Sequence, residues 1–236
     1  MAAGLAFAAG LLAFFLFRQS LWLMFGIVVG AWVVAGVITD FVRRVGAGGV
    51  GRMGKLSGSV WGMTIAHVGM GLFVIGAATE TAARQDQTFV LLPGEQAEMD
   101  GRTFRFDGVR EIEGPNYYAT EGRITVTRDG KSEVMTPQKR YYPVAGTPTT
   151  EVAIRKTPGG DVYVALGDPV REAPGAWRIR ISHHPLIDWV FGGAGLIALG
   201  GFMALAARRR KEADVKTEAP ASSGPTGADR PVGAVA

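Results

Sequence analysis

The sequence has no cysteine among its 236 residues. That excludes a disulfide scaffold, a cysteine-rich zinc site and a thiol nucleophile. Histidine is nearly as scarce, at 3 residues, so an all-histidine metal cage would consume every one. Charge is thin as well, at 19% of residues, against about 25% in soluble domains. The formal net charge of +4 is unevenly placed. Residues 80–182 are near neutral, whereas Arg43, Arg44, Arg52 and Lys55 face one acid, Asp40, between Thr39 and Gly58. A second basic cluster is Arg208, Arg209, Arg210 and Lys211. Positive charge beside apolar runs is a mark of membrane topology, and it argues against a nucleic-acid partner.

What is abundant is apolar sequence. Met1–Phe17 and Leu21–Ile38 are uncharged and separated by Arg18, Gln19 and Ser20. Each is about long enough to cross a hydrocarbon core of about 30 Å. Together, residues 1–38 predict a transmembrane helical hairpin. A signal peptide fits less well, because a basic start is missing and a second apolar run follows at once. Residues 59–79 predict a third span, and 183–207 a fourth, closed by the arginine cluster.

Between the last two runs the pattern changes. Phe104 and Phe106, Ile124 and Val126, Val152 and Ile154, then Val162, Val164 and Leu166, then Trp177, Ile179 and Ile181 alternate with polar residues. Turn pairs such as Asp129-Gly130 and Gly159-Gly160 lie between these bursts. Period-two alternation broken by glycine turns predicts short strands of an all-β domain over 80–182. A small sandwich or barrel suits the length.

Positive charge sets the orientation. The loop 39–58 and the segment 208–236 are expected to be cytoplasmic, the latter disordered from Glu212 onward because it is rich in Ala, Pro, Gly and Ser. The fold class is therefore an α-helical membrane protein with an inserted all-β domain. It has about four transmembrane helices, both termini cytoplasmic and the β domain outside, which in a bacterium is the periplasm.

His67 stands in the middle of the third run, where an imidazole needs a partner or a ligand. At 3.6 residues per turn, Val60, Met63, Met70, Gly71 and Val74 share its face. Gly62, Gly69 and Gly76 recur on roughly the opposite face, where they let another helix approach closely. Gly71 is expected to leave room for a flat macrocycle beside His67, against adaptable methionines. A hydrogen bond to a neighbouring helix explains the residue equally well. No second ligand lies at i±3 or i±4, which argues against a redox-inert metal.

His183 and His184 precede Pro185 at the start of the fourth run. They read as an interfacial belt, or as a contact to an anionic group such as a propionate, with Asp188 as a partner for one of them. The pairs Tyr117-Tyr118 and Tyr141-Tyr142 fit strand packing as well as binding. Glycines from Gly46 to Gly54 follow no phosphate-loop spacing. No nucleophile–base–acid set stands out, so no catalytic residue is expected in this chain.

Several stretches in order carry a resemblance. They are Gly62-Met63-Thr64-Ile65-Ala66-His67-Val68-Gly69, then Gln87 to Glu95 (QTFVLLPGE), Pro148 to Ile154 (PTTEVAI) and Asp161 to Gly167 (DVYVALG). His184-Pro185-Leu186-Ile187-Asp188-Trp189 and Gly200-Gly201 follow. Over roughly residues 20–210 this resembles the C-terminal part of the CcmF family of cytochrome c maturation. The resemblance implies a role in a haem lyase of the bacterial inner membrane. Such a lyase takes haem from a periplasmic haem chaperone and attaches its vinyl groups to the cysteine pair of apocytochrome c. It also implies a b-type haem (haem b) in the membrane, held by two histidines from different spans, of which His67 would be one axial iron ligand.

The sequence departs from the family in ways that matter. The tryptophan-rich haem-handling segment with its two histidines is missing, as is the second ligand of the membrane haem. The family's Trp-Ile-Trp is here Trp189-Val190-Phe191. The expectation is a C-terminal piece, a separately encoded half or a truncated copy, not catalytic alone. Its partners would be the N-terminal haem-lyase portion or other maturation-complex subunits, the haem chaperone, apocytochrome c and membrane lipid. The alternative is a membrane-anchored periplasmic interaction module without haem.

Overall fold

A computed structural model describes residues 21–46, 49–157 and 159–218, with Gly4, Ala8, Leu11 and Leu12 before them. Those four positions are helical, but the expected span Met1–Phe17 otherwise lies outside the described residues.

Helix α1 covers Leu21–Val45, with Arg43 and Arg44 in its last turn, where cations complement the helix dipole. It runs past the expected end at Ile38, so the basic loop is shorter than predicted and holds a five-residue helix α2, Gly49–Met53. Helix α3, Gly58–Ala83, is capped by Ser57, whose side chain accepts from the Val60 amide at 3.4 Å. Helix α4, Ile187–Glu218, continues to Glu218 where composition predicts a disordered tail. Arg, Lys, Glu and Ala are strong helix formers, and Arg208 pairs with Glu212 one turn on at 2.9 Å. Residues 219–236 lie outside the described residues. Among the described residues three helices, α1, α3 and α4, are long and apolar enough to cross a membrane.

Helix α3 lies between the other two. A methyl group added at Gly62 would stand 2.6 Å from Gly200 O, and at Gly69 2.7 Å from Gly193 O, both on α4. At Gly76 it would meet Trp189 Cβ at 3.0 Å. The glycine stripe is thus the close helix contact that the sequence predicts, and the helix it meets is α4. Gly71 corrects an expectation. Its open side is filled by α1, where Gly30 O would be 2.7 Å from the added carbon, so no macrocycle fits there.

The β domain follows Arg84 without a linker. Its strands are β1 Gln85–Leu91, β2 Gln96–Met99, β3 Arg102–Glu113, β4 Tyr118–Arg128, β5 Lys131–Met135, β6 Gln138–Tyr142, β7 Thr147–Glu151, β8 Ala153–Arg155, β9 Asp161–Pro169 and β10 Trp177–His184. One sheet has the order β1-β10-β9-β8; the other is β2-β3-β4-β6-β7, with β5 also on β4. All pairings are antiparallel. Phe104, Phe106, Ile124, Val162, Val164, Ile179 and Ile181 fill the space between the sheets, all at most 1% exposed. These are residues whose alternation predicts strands. Val152 alone falls between strands, where the chain crosses from one sheet to the other. Asp129-Gly130 forms the expected tight turn, with φ of 51° and 74°, which is the left-handed pair of a type I′ hairpin.

Gly69→Leu is expected to force α3 and α4 apart and destabilise the bundle by about 1–3 kcal/mol, the usual cost of overpacking. Gly201→Ala, with nothing within 4 Å of the added carbon, should leave stability unchanged or slightly raised. Thermal unfolding in mild detergent compares the two.

Candidate functional site

Two places gather chemistry. The first is the outer face of α3. His67 is exposed, and its Nδ1 lies 2.8 Å from Met63 O one turn back. A carbonyl can only accept, so Nδ1 carries the proton and Nε2 keeps its lone pair. The ring borders a groove of about 330 Å³ between α1 and α3, lined also by Trp32, Val33, Gly36, Val37 and Asp40. Asp40 is held by Arg44 at 2.6 Å. Gly36 has nothing within 4 Å of an added Cβ, so the groove is open there. No cluster of three or more His, Asp or Glu suited to a metal ion exists among the described residues. The site thus offers one imidazole nitrogen and an apolar wall. A single imidazole nitrogen beside an apolar wall is a donor set compatible with a haem iron.

The second place is the junction of sandwich and helices. His183 and His184 are the last residues of β10, not the first of a span, and as strand neighbours they point to opposite sides. His184 Nδ1 is 2.7 Å from Glu80 Oε1 near the end of α3, and its ring is 4.6 Å from that of Tyr163. His183 is 8% exposed, with Nδ1 3.4 Å from Asp100 Oδ2. Asp100 in turn pairs with Arg102. Burial is the largest influence on His183 and pushes its pKa below the ordinary imidazole value; the Asp100 charge opposes this and that of Arg102 adds to it. Asp188 does not partner a histidine, as the sequence suggests. It accepts from Lys156 Nζ at 2.7 Å, and Lys156 also lies 3.7 Å from Asp161. Neither ring forms a free interfacial belt; both tie strand to helix or sheet to sheet.

The acids Glu80, Asp100 and Asp161 escape sequence reading. Only Glu80 carries a signal there, as a lone carboxylate closing an apolar helix.

A helical membrane protein with an antiparallel sandwich inserted between two of its spans is the class this architecture defines. Residues 82–185 match the family model described as the CcmF C-terminal beta-sandwich. The chain is 38% identical over 192 residues to the cytochrome c-type biogenesis protein CcmF of Pseudomonas aeruginosa, a match covering 80% of this chain and 29% of that one. It is 35% identical to CycK of Bradyrhizobium diazoefficiens, covering 77% and 28%. For CcmF of Escherichia coli the identity is 32%, covering 83% and 29%. A solved structure titled Cytochrome c Heme Lyase CcmF superposes with a TM-score of 0.67 at 22% identity, over 86% of this chain and 33% of that one, a likeness of fold. The chain belongs to the CcmF family and corresponds to its C-terminal part. It spans under a third of the length of these curated relatives.

The buried His183 sets a pH dependence. Its pKa is lowered in the folded protein, so below the ordinary value of 6.5 the unfolded chain binds more protons. Stability should be full above about pH 6.5 and fall as pH drops through that value toward the lower folded one. His183→Gln should flatten this slope, as read by urea unfolding of the detergent-solubilised protein across pH 5 to 8.

Proposed function

We propose that this chain forms the C-terminal section of a cytochrome c haem lyase in the bacterial inner membrane, with its sandwich in the periplasm. The observation that carries this reading is His67. Its ring stands on the outward face of α3, oriented by Met63 O, with Nε2 free to ligate iron. The names and identities of the relatives support the haem-lyase assignment. A b-type haem bound here would supply one-electron redox chemistry for haem attachment.

This chain's own residues do simpler work. His67 offers a lone pair, and Met63 fixes its tautomer, as an outer hydrogen bond commonly does for a metal-bound imidazole. Trp32, Val33 and Val37 keep one edge of the groove apolar. The N-terminal haem-lyase portion, or another subunit of the maturation complex, would cover the open side and bring the second ligand. The sandwich would form part of the surface where haem chaperone and apocytochrome c meet. In that assembly the chain serves as ligand and scaffold.

The test is an absorption spectrum of the chain purified with its partners from native membranes. A b-type Soret band is expected, lost in His67→Ala and regained in part with added imidazole. Gly36→Phe, at a position where an added Cβ meets nothing within 4 Å, should also reduce haem content while leaving the fold intact. A colourless wild-type complex that still retains its partners would replace this reading with the haem-free interaction module.

A further inference from the structure

The sandwich holds a second cavity, of about 620 Å³, far from the His67 groove. It opens between β5 of one sheet and β8 of the other. Its floor is apolar: Val126, Met135 and Val162 are each at most 5% exposed. Its walls are cationic, with Arg102, Arg128, Lys131 and Arg155 against the carboxylates Asp129 and Glu133.

The charges do not cancel. Arg155 bonds Glu133 across the mouth at 2.6 Å, and Arg128 lies 3.6 Å from Asp129. Arg102 is 95% removed from solvent and pairs with Asp100 behind the wall, through Nη1. Lys131 has no carboxylate partner among the described residues. One positive charge is left over, beside a deeply buried guanidinium. That arrangement leaves one positive charge unmet, and a phosphodiester carries one negative charge.

The cavity also lies at a particular end of the sandwich. It is framed by the start of β3, the end of β4, the start of β5, the end of β8 and the start of β9. Asp161, the first residue of β9, pairs in register with His184, three residues before α4. The β8–β9 loop rests on that connection: a carbon added at Gly160 would be 2.7 Å from Pro185 Cα. Lys156, next to Arg155, is tied to Asp188 in the first turn of α4. The cavity therefore sits where the chain passes into the membrane, within reach of the lipid headgroups of one leaflet.

We infer that this cavity seats the headgroup of an anionic phospholipid. The phosphate lies among Arg102, Arg128 and Lys131, and the glycerol and first acyl carbons lie on Val126, Met135 and Val162. An apolar floor under a cationic wall selects an amphiphilic anion over a free one, because a free phosphate would leave the floor unused. The bound lipid would pin the sandwich to the leaflet surface on the side away from β1. The proposal does not depend on haem binding at His67.

The experiment uses the full chain in a neutral maltoside detergent and follows thermal unfolding as ligand is added. A ligand that binds only the native state raises the midpoint by mass action. Dihexanoyl phosphatidylglycerol should raise it, dihexanoyl phosphatidylcholine should not, and glycerol phosphate should bind about tenfold more weakly or worse. Lys131→Glu, on an exposed strand start, should weaken phosphatidylglycerol about tenfold or more, from the loss of one cation and the gain of one anion. Lys131→Gln should give a smaller loss in the same direction. Replacing Arg208, Arg209 and Arg210 by Gln should leave the effect intact, which separates this cavity from the other basic cluster. Equal shifts with both lipids, a shift that survives Lys131→Glu, or a full shift with glycerol phosphate alone would each overturn the proposal.

Discussion

Everything in this molecule rests on how closely helices can approach α3. A lipid environment supplies little hydrophobic drive between helices, so association depends on packing, and packing depends on small residues. Helix α3 has them on two sides. Gly62, Gly69 and Gly76 meet α4, while Gly71 meets Gly30 of α1. With both sides occupied by backbone, one strip of α3 is left uncovered, and His67 and Met70 stand on it. The histidine is outward-facing because the glycines have determined which faces turn inward.

The same close packing fixes the sandwich. Helices α3 and α4 run directly into β1 and out of β10, with one residue between α3 and β1 and two between β10 and α4. Leu186, at φ 55°, makes the sharp turn into α4, a left-handed conformation that a bulky residue adopts only when its surroundings hold it there. Glu80–His184 and Lys156–Asp188 then link helix to sandwich on both sides of the turn. A domain on such short, cross-braced tethers has little freedom to swing. It presents a fixed surface relative to the membrane, which suits a docking platform better than a mobile carrier.

Much of this was legible in the sequence, because periodicity reports burial directly. Alternating Val162, Val164 and Leu166 mark an inward strand face, and Gly62, Gly69 and Gly76 mark a helix seam, whatever they pack against. What periodicity cannot encode is partnership over distance. His184 meets Glu80 across 104 residues, and β8 comes near β5 only through closure of the two sheets. Gly71 shows the limit most plainly. A glycine beside His67 signals space, and only the placement of α1 shows which neighbour has taken it. The helical stretch after Arg208 is the converse case: local propensity carried by Arg, Lys and Glu outweighed a compositional reading of the whole tail.

A single imidazole on an exposed strip also constrains what the chain is for. An unpaired polar ring in hydrocarbon is costly, and hydrogen bonding to Met63 O satisfies only one of its two nitrogens. A purely structural histidine would be expected to spend the second nitrogen on a neighbouring helix, and both neighbouring helices are already packed against α3. Neither α1 nor α4 supplies a hydrogen-bond partner for Nε2 among the described residues. The nitrogen is held ready for something that arrives from the side. That outward-facing, singly bonded imidazole is the observation on which the proposal of a haem ligand at His67 rests.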